Sequence, residues 1–179
     1  MKKIVIFFAL LIASINANSQ SVLGIPFGSK YSVVKKNLEE RFGSYHLYED
    51  EGKLIVLPIS VGGFDFNGGE FYFQRANGTS YFNSARFDKF FDGNDVKLAE
   101  RSRDYLYSLL KDKYSNDYLE EYENDDGFKC YKFGTNPKNT DNVLGFIRLL
   151  RYQKDNGKTG FCLTLEYGPI YYVDKASDF

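Results

Sequence analysis

His46 is the only histidine of the chain, and Cys130 and Cys162 are its only cysteines. A Ser-His-Asp or Cys-His site would have to use that one imidazole, with Cys130 or Cys162 as nucleophile in the second case. Neither cysteine stands at a helix N-terminus or in a basic stretch, the settings that lower a thiol pKa. His46 is therefore read as a surface histidine at a strand edge. One histidine and two separated cysteines also lack any standard zinc spacing. Glu120, Glu121, Glu123, Asp125 and Asp126 form the densest acidic run. A calcium loop needs oxygen ligands at alternate positions, Gly at the sixth and Glu at the twelfth. Counting from Tyr122 puts Gly127 sixth, but Tyr122 is no ligand and Phe133 fills the twelfth place. The run is read as a solvated acidic loop. The pairs Gly62-Gly63 and Gly68-Gly69 precede neither a Lys-Ser/Thr pair nor a helix, so they are not phosphate loops. No catalytic residue, metal or cofactor is assigned. A glycosidase carboxylate pair needs no local motif and stays open.

The element that organises the chain is Gly24-Ile25-Pro26-Phe27-Gly28-Ser29-Lys30-Tyr31 and the helix it enters. Tyr31, Val34, Leu38 and Phe42 recur at three- and four-residue spacing and share one face. Lys35, Lys36, Glu39, Glu40 and Arg41 fill the other face. Ser29 is the expected N-cap, and Gly43 the left-handed residue that closes the helix. A second helix is expected after Asp92-Gly93-Asn94-Asp95, capped by Asn94 or Asp95. It carries Leu98, Ala99, Tyr105, Leu106, Leu109, Leu110 and Tyr114.

Between and after the helices the pattern is that of short strands. In the first half they are expected at 45–48, 54–59, 63–66, 71–74 and 81–87, with a bulge at Gly68-Gly69. Residues 118–122 form a strand or a loop start, and 128–133, 143–152 and 159–167 are strands. Asn77-Gly78 and Asn156-Gly157 are the hairpin tips. Residues 74–82 line up with 153–161, and Val34, Leu38 and Phe42 line up with Leu106, Leu110 and Tyr114. The expected fold is α+β: two tandem helix-plus-antiparallel-strand repeats, residues 20–92 and 93–179. Together they form one compact unit, a curved antiparallel sheet with helices on one face. As a meander, the strands of Cys130 and Cys162 lie ~9–10 Å apart, beyond disulfide reach, so two buried free thiols are favoured over one bridge.

The N-terminus has the features of an export signal. Lys2 and Lys3 are followed by an apolar run from Ile4 to Ile12, then by small residues at Ala17 and Ser19. The run is too short for a membrane span, which needs ~20 residues. No cysteine lies near the cut, so a lipid anchor is not expected. Cleavage after Ser19, or alternatively after Ala17, is expected to leave a soluble periplasmic or secreted chain. Removing 19 of 179 residues leaves 160, and losing two lysines moves the net charge from −1 to −3. That mild, unclustered charge argues against nucleic acid and acidic membranes as partners.

Residues 25–43 resemble the opening of the β-lactamase-inhibitor-protein-like fold, shared with small outer-membrane assembly lipoproteins. That opening has an apolar residue, a glycine, a capping Ser or Thr, and Val and Leu on a helix closed by Gly. Here these are Ile25, Gly28, Ser29, Val34, Leu38 and Gly43. The chain also resembles exported proteins of unknown function from gut bacteria that share the Ile-Pro-Phe-Gly-Ser opening. The resemblance implies a binding-type protein with helices on one side of a curved sheet. The lipid-bearing Cys of the lipoproteins is absent here, and at most one of the inhibitor's two disulfides is available. Inhibitory activity does not transfer.

Strand alternation then names a surface. Phe161, Leu163, Leu165 and Tyr167 share the face that the helices would cover, with Ile147, Leu149, Phe71 and Phe73. Tyr72, Gln74, Arg148, Tyr152 and Glu166 fall on the opposite face, a mixture of aromatic, amide and charged groups suited to recognition. The expected function is non-catalytic binding of another protein or an envelope component through that face or through the loops at 62–69 or 134–142. The alternatives are an exported hydrolase acting on glycan or peptide, and a structural subunit of a surface assembly. N-terminal sequencing of the protein from its native host tests the export reading. The expected first residue is Gln20 or Asn18, and secreted material that begins at Met1 contradicts it.

Overall fold

The computed structural model describes residues 21–113, 119–134 and 143–169. The expected export signal, Tyr114, Tyr118 and most of the loop around Pro137 lie outside the described residues. A short hairpin of β1 (Ser21–Val22) and β2 (Ile25–Pro26) leads into α1 (Tyr31–Phe42). Strands β3 (Leu47–Asp50), β4 (Lys53–Val56), β7 (Gly68–Ala76) and β8 (Thr79–Asp92) follow, interrupted by a small hairpin of β5 (Ile59–Val61) and β6 (Phe64–Phe66). Helix α2 (Val96–Lys113) precedes β9 (Leu119–Glu123), β10 (Lys129–Gly134), β11 (Val143–Gln153) and β12 (Thr159–Tyr167). Eight strands form one antiparallel sheet in the order β3-β4-β7-β8-β12-β11-β10-β9. The expected mixture of helices and a large antiparallel sheet is what the chain adopts.

Strand pairing fixes which residues share a side. One row crosses all eight strands: Leu47, Val56, Gly69, Phe87, Leu165, Ile147, Tyr131 and Glu121. Both helices lie on this side. Helix α1 brings Tyr31 against Phe73, their ring centroids 4.8 Å apart, and α2 stacks Tyr107 on Tyr131 at 4.0 Å. Val34, Leu38, Ala99 and Leu106 are buried beneath the helices. An ionic clamp reinforces α1, where Glu49 accepts from Tyr31 and Lys35 at 2.5 Å each. Burial and then that bond to Glu49 push the Tyr31 hydroxyl up to about 12.

Several local expectations are corrected. Ser29 does not cap α1. Its carbonyl accepts from the Phe82 N–H at 2.9 Å while the Gly28 N–H donates to the Phe82 carbonyl at 2.8 Å. These bonds hold the entering chain extended through Lys30, which takes the cap position without a side-chain bond. Gly68 and Gly69 are not a bulge but regular ladder positions opposite Asp88 and Phe87. They are glycine because a Cβ on Gly69 would meet the Phe87 ring at 2.8 Å, and one on Gly68 would meet Leu57 at 2.4 Å. The register shift falls between Tyr72 and Phe73 instead. The strand expected at 54–59 is two strands, broken at Leu57-Pro58. His46 lies in a short 3-10 turn, Ser44–His46, with Nδ1 2.9 Å from the Leu57 carbonyl. On α2, Leu98 and Tyr105 are outside, 53% and 54% exposed, whereas Arg103 is buried and donates to the Lys129 carbonyl at 3.1 Å.

Leu38 and Leu106 are both buried in mid-helix at the helix–sheet contact. Leu38→Ala and Leu106→Ala are each expected to cost about 2–5 kcal/mol, the range for buried leucine truncation. Denaturant unfolding of the purified chain measures the loss, and a value below about 1 kcal/mol at either site contradicts the packing described.

Candidate functional site: the open sheet face

No described helix covers the second side of the eight-stranded sheet. Its central row reads Tyr48, Ile55, Glu70, Arg86, Glu166, Phe146, Lys132 and Glu120. Opposed strand residues on one face have Cβ atoms ~5 Å apart, so alternating charges along such a row attract. Ion pairs form between opposed residues (Lys132 and Glu120), between diagonal neighbours and, for Arg86 and Asp88, along one strand. Lys53 reaches Glu70 at 2.8 Å, Arg86 reaches Asp88 at 2.9 Å, Arg148 reaches Glu166 at 3.2 Å and Lys132 reaches Glu120 at 3.0 Å. Tyr72 also donates to Glu70, and Thr164 to Asp88 at 2.7 Å.

The electrostatics follow from these partners. Burial alone would raise the Glu70 carboxyl, but hydrogen bonds from Lys53 and Tyr72 outweigh it and hold the group below its ordinary value. Tyr72 is driven up, first by burial and then by Glu70. Burial pushes the Cys162 thiol up to about 11, and it raises Cys130 as well. Both cysteines are free and buried, with β11 between their strands. Cys162 lies 3.5 Å from both Asp88 Oδ1 and Thr164 Oγ1; after burial, the Asp88 carboxylate favours the thiol, while the Thr164 hydroxyl acts the other way. His46 Nδ1 lies 2.9 Å from the Leu57 carbonyl, while the Cys162 thiol is beside Asp88 and Thr164.

All five residues named from sequence, Tyr72, Gln74, Arg148, Tyr152 and Glu166, belong to strands at positions that face this side. They do not form one cluster. Arg148 and Glu166 are paired, and the Arg148 guanidinium also lies 4.1 Å from the centroid of the Phe146 ring. Tyr72 bonds Glu70, two residues earlier on the same strand β7. Gln74 opposes Tyr81 near the Asn77-Gly78 turn. Tyr152 lies at the other end, edge-on to Phe90 with centroids 5.8 Å apart. Its ring covers Gly160, where an added Cβ would meet it at 2.7 Å.

Sequence reasoning put Glu70 on this face beside Tyr72 and Gln74, as the pairing does, but missed Lys53, Arg86, Asp88 and Phe90. Arg86, Asp88 and Phe90 alternate with Phe87, Lys89 and Phe91, and that period of two was the available signal. The acidic run is not one solvated loop: its glutamates take the strand alternative left open for 118–122, and Asp125 and Asp126 lie in the turn that follows. Glu120, Glu121 and Glu123 are in β9, where Lys132 and Lys129 of the neighbouring β10 pair with Glu120 and Glu121. Asp126 is in the following turn and accepts from the Arg151 N–H at 2.9 Å. Among the described residues no group of three or more His, Cys, Asp or Glu side chains is arranged to hold a metal. No helix of the described chain is long and apolar enough to cross a membrane. No protein-family model matches the chain, and no curated protein or solved structure matches it.

A thiol whose pKa is higher folded than unfolded stabilises the fold fully below the unfolded value. That contribution is lost as pH rises toward the folded value. For Cys162 the window runs from 9.0, its ordinary value, to about 11. Melting temperature is expected to fall between pH 9 and 11 and to fall less in Cys162→Ala. An equal alkaline loss in both proteins contradicts the buried-thiol assignment.

Proposed function

We propose that the protein is an exported, non-catalytic binding protein whose open sheet face receives another protein or an envelope component. The observation that carries this reading is the make-up of the face. Tyr72, Phe90, Tyr152 and Tyr122, which opposes Cys130 on this side, stand among four ion pairs, two of them formed by arginine. Aromatic residues and arginine are the side chains enriched in recognition surfaces. Phe90, at 52% exposed, offers apolar area at no packing cost to the free chain.

The element order supports the finer fold reading. In 31–92 and again in 96–167 a helix precedes four strands of the large sheet, with β5 and β6 as an excursion in the first half. The last strands of the halves, β8 and β12, pair antiparallel, as two tandem repeats related by a two-fold axis would. The ordinary twist of an eight-stranded sheet supports a curved binding face. The same order favours the resemblance to the β-lactamase-inhibitor-protein-like fold.

The rival hydrolase reading is less well supported. A general acid needs a carboxyl held above its ordinary value. Glu70 is held below it, and Asp88, Glu166 and Glu120 each pair with a cation. A structural subunit would draw on the sheet edges, and the Glu residues of edge strand β9 oppose edge-to-edge association.

The test is capture from envelope extract with the purified chain as bait. Charge reversal at Arg148 would set a second carboxylate beside Glu166 and weaken the sheet, so aromatic truncation is the cleaner change. Tyr72→Ala with Phe90→Ala is expected to lower capture of a wild-type-dependent partner at least tenfold, with an unchanged circular dichroism spectrum. Undiminished capture would move the contact off this face.

A further inference from the structure

A second candidate site lies on the helix side of the sheet, where the first hairpin, the β5–β6 turn and α2 leave a cleft of about 500 Å³. We propose that this cleft binds a single-chain aliphatic carboxylate, the chain lying between α2 and the hairpin and the carboxylate on Arg41. The volume falls within the range of small-molecule sites, which are mostly apolar with a few placed polar groups. Leu165 and Tyr167 of β12 contribute from the sheet side, and Leu106, Leu109 and Leu110 from α2. Val22 and Leu23 line it from the hairpin and Val61 from β5. Leu23, Val61 and Leu109 stay only partly buried, so the free chain leaves apolar surface uncovered here.

Arg41 is the one ionised side chain among the lining residues. Its Nη1 donates to the Leu23 carbonyl at 3.0 Å, which tethers the guanidinium to the hairpin. Neither neighbouring acid on α1 neutralises it. Glu39 pairs with Lys35 at 3.9 Å, and Glu40 with Lys36 at 3.7 Å. No described carboxylate makes a salt bridge to Arg41, so the guanidinium retains donors for an incoming anion. Its planar fork matches a carboxylate. A single cation in the last turn of α1, where the helix dipole is negative, suits a monoanion better than a phosphate dianion. An acyl chain would cover the exposed leucine and valine surface while its head group stays at Arg41.

The site is independent of the open face. Titration of the purified chain with decanoate, with decanol as the uncharged control, tests it by calorimetry and by the methyl resonances of Val61 and Leu109. Saturable one-to-one decanoate binding is expected, with those methyls shifting. Arg41→Gln, an exposed change, is expected to weaken decanoate at least tenfold and to leave decanol unchanged. Leu109→Trp fills the cleft and is expected to remove decanoate binding, with thermal unfolding checking that the fold persists. The Tyr72→Ala and Phe90→Ala protein is expected to bind decanoate as wild type does, which separates this proposal from the open-face reading. The proposal is overturned by absence of saturable binding in the wild type. Equal affinity in Arg41→Gln overturns it too, as do shifts confined to Leu150 on the open face.

Discussion

The pairing of β8 with β12 is the constraint on which the rest of the molecule depends. Residues 85–92 lie antiparallel to 160–167 through eight matched positions, and this is the seam between the two half-sheets. A slip of one residue would turn Phe87 and Phe91 to the open side and Arg86 and Asp88 into the helix-covered core. The register is specified twice. On the helix side Phe87 and Leu165 are fully buried opposite one another. On the open side Thr164 donates to Asp88, and Arg86 pairs with Asp88. Each partly exposed ion pair contributes little on its own, about 0–1 kcal/mol. Moving either charge unpaired into the apolar layer would cost far more. The polar side therefore selects the register chiefly by penalising the alternatives.

That seam also explains the position of the apolar cleft. Helix α1 packs over β3, β4 and β8, and α2 packs over β8, β11 and β12. Two helices do not fill the helix side of eight strands. The β5–β6 hairpin supplies Phe64 and Phe66 to part of that layer, with Phe66 5.7 Å from Phe87 between centroids. Gly69 has no side chain because Phe87 occupies its space. What remains uncovered is the space beside Leu109 and Val61.

The features legible in the sequence were those set by local periodicity. The alternation in 159–167 named both faces of β12 correctly, and the spacing of Val34 and Leu38 named the buried stripe of α1. Asn77-Gly78 forms the two-residue hairpin turn with positive φ at both positions, 48° and 74°. At the second tip the turn instead closes between Lys154 and Gly157, with Gly157 the residue of positive φ. What escaped was set by distant contacts. Ser29 has the chemistry of a cap, but two backbone bonds to Phe82 claim its segment first. Strand β8 runs past Phe87 to Asp92 because β12 is there to pair with it. Arg103 looks like a surface residue of α2, yet it finds the Lys129 carbonyl and a neighbouring Asp104.

The open face illustrates why a highly charged surface need not be a reactive one. Its four ion pairs leave little net field, and its thiol is held protonated by burial. A partner landing there would displace water around charges that are already satisfied, so those pairs add little affinity. Attraction would come from Phe90, Tyr152 and Tyr72, which offer large rigid area with few rotamers to freeze. The ion pairs would act by exclusion. A partner that covered Glu70 or Arg148 without matching hydrogen bonds would leave a desolvated charge and be rejected. On the proposed reading such a face would be selective before it is tight: the charges would restrict which surfaces dock, and Tyr72, Phe90 and Tyr152 would hold the ones that fit.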